Sequence, residues 1–154
     1  MKTIKHWLSE YGESHQDHTN KTIHWICVPL IFFSIVGLLY SIKLPIAIAG
    51  IQLNVAMIVL ALVTIYYISL SRTLWIGLFL FAVLCLWLCN LIERANFMQL
   101  WLLCIIIFVA AWVGQFYGHK VEGKKPSFLK DIQFLMIGPA WLMSFIYNKL
   151  GIGI

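Results

Sequence analysis

Charge is scarce in this chain. Lys, Arg, Asp and Glu make up 11% of its 154 residues, and only six are acidic, where a soluble domain carries about 25% charged residues. Hydrophobic residues reach 62%, and the mean hydropathy is +0.89. That balance excludes an ordinary soluble globule and indicates an integral membrane protein. A C-x-x-C pair is lacking too. Cys27, Cys85, Cys89 and Cys104 all lie within apolar runs, so they read as buried reduced thiols, not as a disulfide framework or a zinc site. No Gly-rich phosphate fingerprint and no flavin or nicotinamide motif stands in the chain. No basic patch is interleaved with exposed aromatics, which argues against nucleic acid as a partner. The net charge of +5 is read instead as topology and lipid contact. No repeat of solenoid period is visible, and the length fits one integral membrane domain over residues 1–154. No cleavable signal peptide and no lipidation motif is expected. The five histidines are too few for the His-rich boxes of a di-iron membrane desaturase, and none lies mid-span to ligate a haem.

What is present is a series of long apolar runs. The pattern predicts an all-α, polytopic membrane helix bundle. Spans are expected over residues 23–41, 55–71, 74–92 and 98–117, each near the ~20 residues needed to cross the hydrocarbon core. Ile4, Trp7, Leu8 and Tyr11 fall at helical spacing and predict a short amphipathic helix on the membrane surface. Thr19 and Asn20 are expected to cap the first span. Residues 42–54 read as a connection. A last apolar segment, 132–147, is interrupted by Gly138-Pro139 and short for a span; it reads as a kinked, re-entrant or interfacial helix.

Four spans put Lys21 and His119 on one side of the membrane. That side collects Lys2, Lys5, Lys21, Arg72, Lys120, Lys124, Lys125 and Lys130, against Lys43 and Arg94 on the other. The positive-inside rule makes it cytoplasmic. The expected location is the bacterial inner membrane, with the N-terminus and the 119–130 loop in the cytoplasm.

Two polar stretches then meet at one rim. The first carries His15, His18 and His24, where the polar N-terminus turns into membrane. His15 and His24 are half a turn out of phase on a continuous helix, so they can share a ligand only if the chain breaks near residues 17–20. The second stretch ends the fourth span, where Trp112, Gln115, His119 and Glu122 share a face. Ala110, Gly114 and Gly118 form a small-residue stripe on another face, which invites close approach by a neighbouring helix. Taken singly, each histidine is most simply a helix-end or interfacial imidazole. Together with Glu122 they form a ligand set for a divalent metal: non-haem Fe(II) first, with Mn or Zn as alternatives. Lys124 and Lys125 are topogenic charges, and on a sharper reading a carboxylate or phosphate anchor at the mouth of a lipid-filled groove.

Tyr11, His15, Asn20, His24 and Pro29 follow the pattern Y-x3-H-x4-N-x3-H-x4-P, and Gly114-Gln115, Gly118-His119, Glu122, Lys125-Pro126 and Gly138-Pro139-Ala140-Trp141 continue it. In these residues the chain resembles the family of small membrane proteins that includes the fungal endoplasmic-reticulum 2-hydroxy fatty acid dioxygenase. The resemblance implies Fe(2+) as cofactor, a long-chain 2-hydroxy fatty acid and O2 as substrates, and release of CO2 with the acid one carbon shorter. It implies His15, His24 and His119 as ligands, with His18 a further candidate. Glu122 would be a ligand or an orienter of an imidazole, Asn20 and Gln115 hydrogen-bonding supports, and Lys124 or Lys125 the partner of the substrate carboxylate. The competing reading is a non-enzymatic membrane scaffold or lipid-binding protein, whose rim histidines bond only to backbone or headgroups.

Overall fold

In a computed structural model, residues 3–125 and 133–154 are described, and among them the protein is a helix bundle with one small hairpin. Helix α1 (Ile4–Gly12) leads into α2 (His18–Tyr40). Strands β1 (Lys43–Ile48) and β2 (Ile51–Asn54) follow, then α3 (Val55–Leu70), α4 (Leu74–Ala95), α5 (Leu100–Glu122) and α6 (Phe134–Lys149). Three helices, α2, α4 and α5, are 22 or 23 residues long and apolar enough to cross a membrane; at 1.5 Å per residue each reaches roughly 33–35 Å. α3 is as apolar but has 16 residues. Their outward faces remain apolar, with Ile58, Leu62, Ile65, Leu80 and Trp87 exposed. This supports membrane association, with lipid as the solvent for those faces.

Residues 42–54 are more than a connection. Ala49 and Gly50 both have positive φ, the signature of a tight two-residue hairpin turn, and Ile48 pairs with Ile51 across it. Lys43 anchors the hairpin base: its Nζ lies 2.9 Å from Glu93 and 3.7 Å from the centre of the Tyr40 ring.

The chain does break before α2, but the cap is Asp17 and not Thr19 or Asn20. The Asp17 carboxylate accepts from the backbone N–H groups of Thr19 and Asn20, satisfying two donors that a helix start leaves open. The apolar face of α1 packs on protein. Trp7 and Tyr11 are buried because α6 offers them an aromatic wall. Trp7 meets Phe134 edge-on at 5.4 Å and Tyr11 meets Trp141 at 5.4 Å.

α6 runs unbroken through Gly138 and Pro139. Near its start, Tyr67 donates to the Met136 carbonyl and Gln133 to the Tyr66 hydroxyl. Near its end, Tyr147 donates to the Thr73 carbonyl and accepts from the Gly77 N–H. All of these partners sit within about a turn and a half of the α3–α4 corner. Both ends of α6 therefore lie at the same end of the bundle, and α6 crosses that end instead of running its length.

α2 and α5 form the closest pair, and small residues permit it. A methyl group added at Gly114 would press on Cys27 Sγ, one at Gly118 on Asn20 Oδ1, and one at Gly37 on Cys104 Sγ. The stripe on α5 continues to buried Ala111, not to Ala110, which is exposed. Cys85, Cys89 and Cys104 are free and buried, and pack with Val36, Ala56 and Ala82 in the far half of the core. Replacing Gly37 by Ala should overpack this contact and destabilise the protein by about 1–3 kcal/mol. A thermal melt in detergent should show the loss, and an unchanged melting temperature would contradict the packing described.

Candidate metal centre

His15 follows α1 by one short turn. Its backbone N–H bonds to the Gly12 carbonyl at 3.0 Å, and its ring stacks on Tyr11 at 4.2 Å with 10° between the planes. His24 sits on the second turn of α2, and His119 on the last turn of α5. The break at Asp17 and the close α2–α5 packing bring all three together. Ring centres are 4.2 Å apart for His15 and His24 and 4.9 Å from each of these to His119. All three side chains are 3% exposed or less, so bulk solvent barely reaches them.

Hydrogen bonding fixes two of the rings. His15 Nδ1 lies 2.7 Å from the Tyr11 carbonyl and His24 Nδ1 lies 3.0 Å from the Asn20 carbonyl. A carbonyl only accepts, so each Nδ1 carries the proton and each Nε2 keeps its lone pair. Among the described residues, His15 Nε2, His24 Nε2 and His119 Nδ1 are buried without a hydrogen-bond partner. Three such atoms in one place need an explanation. The donor set supplies one: a nitrogen from each imidazole lies within 4.8 Å of the others, an arrangement able to hold a metal ion. A tetrahedral ion with bonds of ~2.1 Å holds its ligand nitrogens about 3.4 Å apart, so the rings need close in by no more than about 1.4 Å. A ligating imidazole whose other N–H is held by a carbonyl is the usual arrangement at metal sites.

Glu122 stands beside this cluster and clamps it. One carboxylate oxygen accepts from the Gln16 backbone N–H at 2.7 Å, the other from Asn20 Nδ2. Asn20, fully buried, also donates from Nδ2 to the Ser14 carbonyl at 3.1 Å. Glu122 thus binds the 14–20 turn to the end of α5, directly at Gln16 and through Asn20 at Ser14. His18, the first residue of α2, is exposed and outside the cluster, as is His6. The Lys124 ammonium bonds to the Glu13 carbonyl at the rim, and Lys125 is exposed beside it. Pro126 and residues 127–132 lie outside the described residues.

Trp141 was legible only as part of a motif, without a role. The structure gives it one: its ring lies 5.3 Å from His15 and closes the site from α6. The Gln16 backbone contact left no sequence signal, since any residue carries that N–H.

An apolar cavity opens from the cluster. Tyr11, His15, Gln115 and His119 line its near end, Trp112 and Pro139 its wall, and Val36, Leu39 and Val59 its far end. Its volume is about 210 Å³.

Burial holds the His15 pKa down to about 3, helped by the neighbouring His24, against about 6.5 in an unfolded chain. Between those values the unfolded chain binds more protons, so stability falls as pH drops from 6.5 towards 3, by up to about 1.4 kcal/mol per pH unit for this group. Metal-free protein should melt at a lower temperature at pH 5.5 than at pH 7.5; equal or higher stability at pH 5.5 would refute the buried neutral imidazole. Loss of the clamp in Glu122→Ala should weaken metal binding by about 10–100-fold, with an unchanged Co(II) visible spectrum at saturation. A changed spectrum would place the carboxylate among the ligands.

No curated protein and no solved structure matches the chain. A family model does, over residues 1–150, and its description is "2-hydroxy-palmitic acid dioxygenase Mpo1-like". That span takes in Tyr11, the three clustered histidines, Glu122 and the aromatic face of α6, and the chain belongs to this Mpo1-like family.

Proposed function

We propose that the protein is an Fe(II)-dependent dioxygenase that removes one carbon from long-chain 2-hydroxy fatty acids. The observation that carries this reading is the convergence of three unpartnered imidazole nitrogens at one end of an apolar cavity. The family description supplies the substrate class. The reaction balances without an outside reductant: R–CH(OH)–COOH and O2 give R–COOH, CO2 and H2O. The bond between C1 and C2 breaks, and C2 is oxidised to the new carboxyl. This agrees with a chain that has no flavin or nicotinamide motif.

His15, His24 and His119 would hold the iron, which supplies the one-electron chemistry that O2 requires. The protein's own groups do the rest. The carbonyls of Tyr11 and Asn20 keep two imidazoles in the tautomer that presents Nε2. Glu122 and Asn20 hold the His15 turn against α5. Tyr11 and Trp141 wall His15 off from water, which strengthens electrostatic contacts inside. Gln115, buried at the cavity mouth, is placed to bond the substrate's oxygens. Lys124 and Lys125 at the rim neutralise an arriving carboxylate, and the alkyl chain lies in the cavity.

The same reading makes α3 the fourth crossing, shortened because the hairpin occupies the far interface. The N-terminus and the 119–130 loop then face the cytoplasm of a bacterial inner membrane. A fatty acid resting in that leaflet already has its carboxylate at the depth of the histidines and its tail at the depth of the cavity.

The test is metal content and turnover. Anaerobically purified protein reconstituted with iron should hold about one iron per chain, as three converging donors imply, and consume O2 with 2-hydroxypalmitate. His24→Ala and His119→Ala should each lose the iron and the O2 uptake. Wild type without bound iron after reconstitution, or either variant at full activity, would overturn the reading.

A further inference from the structure

The cavity has a definite depth, and its far end is built from two helices held in register. The Val55 N–H donates to the Ile42 carbonyl at 3.1 Å, which sets the start of α3 level with the end of α2. One turn into α3, Val59 comes level with Leu39, three residues before Ile42. Both line the cavity, as does Val36, one turn nearer the histidines. Above them the lining on α2 continues through Ile35, Phe32, Ile31 and Val28, with no polar or charged side chain. The polar lining is confined to the end that holds His15, Gln115 and His119.

We infer that Leu39 and Val59 act as a ruler that sets the longest acyl chain the protein accepts. The inference rests on the acyl-substrate reading above. From Val28 to Leu39 the cavity descends roughly 16 Å, and from His24 to Leu39 roughly 22 Å, at helical rise. An extended chain of tetrahedral carbons advances about 1.2 Å per bond, as an extended backbone does over its three bonds per residue. The cavity therefore takes a straight tail of about 13 to 18 bonds. A chain whose reacting carbon, C2, sits at the histidines meets Leu39 and Val59 with its terminal methyl group at an acid length of about C15 to C20. The occupant is a single unbranched acyl chain. A bulky or polar tail finds no partner in this lining, and a buried unbonded polar group is costly.

The test uses the full chain in lipid nanodiscs and separates binding from turnover. Metal-free protein is titrated with saturated 2-hydroxy acids from C10 to C24, each competing against a fluorescent fatty acid. The same series is then assayed for O2 uptake with iron-loaded protein. Affinity should rise with length to about C16–C18 and fall beyond about C20. Val59→Phe fills about one helical turn and should move the optimum shorter by about four carbons. Leu39→Ala opens the end and should extend acceptance by two carbons or more. Neither residue touches the histidines, so short acids should bind both variants as they bind wild type. A shifted binding profile without turnover would uphold the ruler and fell the dioxygenase reading. Turnover with a length profile that neither variant moves would do the reverse. Failure to bind acids of any length would overturn the acyl cavity altogether.

Discussion

Two glycines on α5 let its backbone come against Asn20 and Cys27 of α2, and the position of every imidazole depends on that approach. Gly118 leaves the space that Asn20 fills. Asn20 then holds the Ser14 carbonyl and Glu122 with its side chain, and His24 with its own carbonyl. A larger residue at position 118 would push Asn20 aside and release three contacts at once. Lipid offers these helices no hydrophobic incentive to associate, so close packing of small residues and buried hydrogen bonds carry the pairing. The far half of the same interface repeats the solution with Gly37 against Cys104.

Much of this was legible in the sequence. Hydropathy placed the long helices, and the number of apolar runs between the two histidine stretches put both at one end. The need for a break between His15 and His24 follows from helical phase alone, and Asp17 supplies it. The small-residue stripe pointed to a close neighbour for α5, although its phase was one residue off at Ala110. The rest depended on contacts between distant parts of the chain. The apolar stripe of α1 suits a membrane surface as well as a protein surface; only the presence of Trp141 and Phe134 decides. The hairpin hides in an apolar stretch whose Ala-Gly turn is a weak signal. The path of α6 could not be read from its length, since a 16-residue apolar helix fits several depths.

Glu122 shows how spacing alone leaves a role open. Three residues after His119, on the same helix face, it has the position of a ligand. Its two oxygens are engaged by Gln16 and Asn20, the contacts of a brace. What distinguishes the two roles is where the 14–20 turn travels in space, and that turn is about a hundred residues away along the chain.

This placement has an electrostatic consequence. Three neutral imidazoles bring no negative charge to the cluster, and the charge that acts on His24 and His119 is the single Glu122 carboxylate. A divalent cation held there would keep a net positive charge even beside that carboxylate, in a water-poor pocket where Coulomb attraction is strong. A preference for an anion over a neutral alcohol or ester would then belong to the site's charge balance, before any side chain of the cavity has touched the guest.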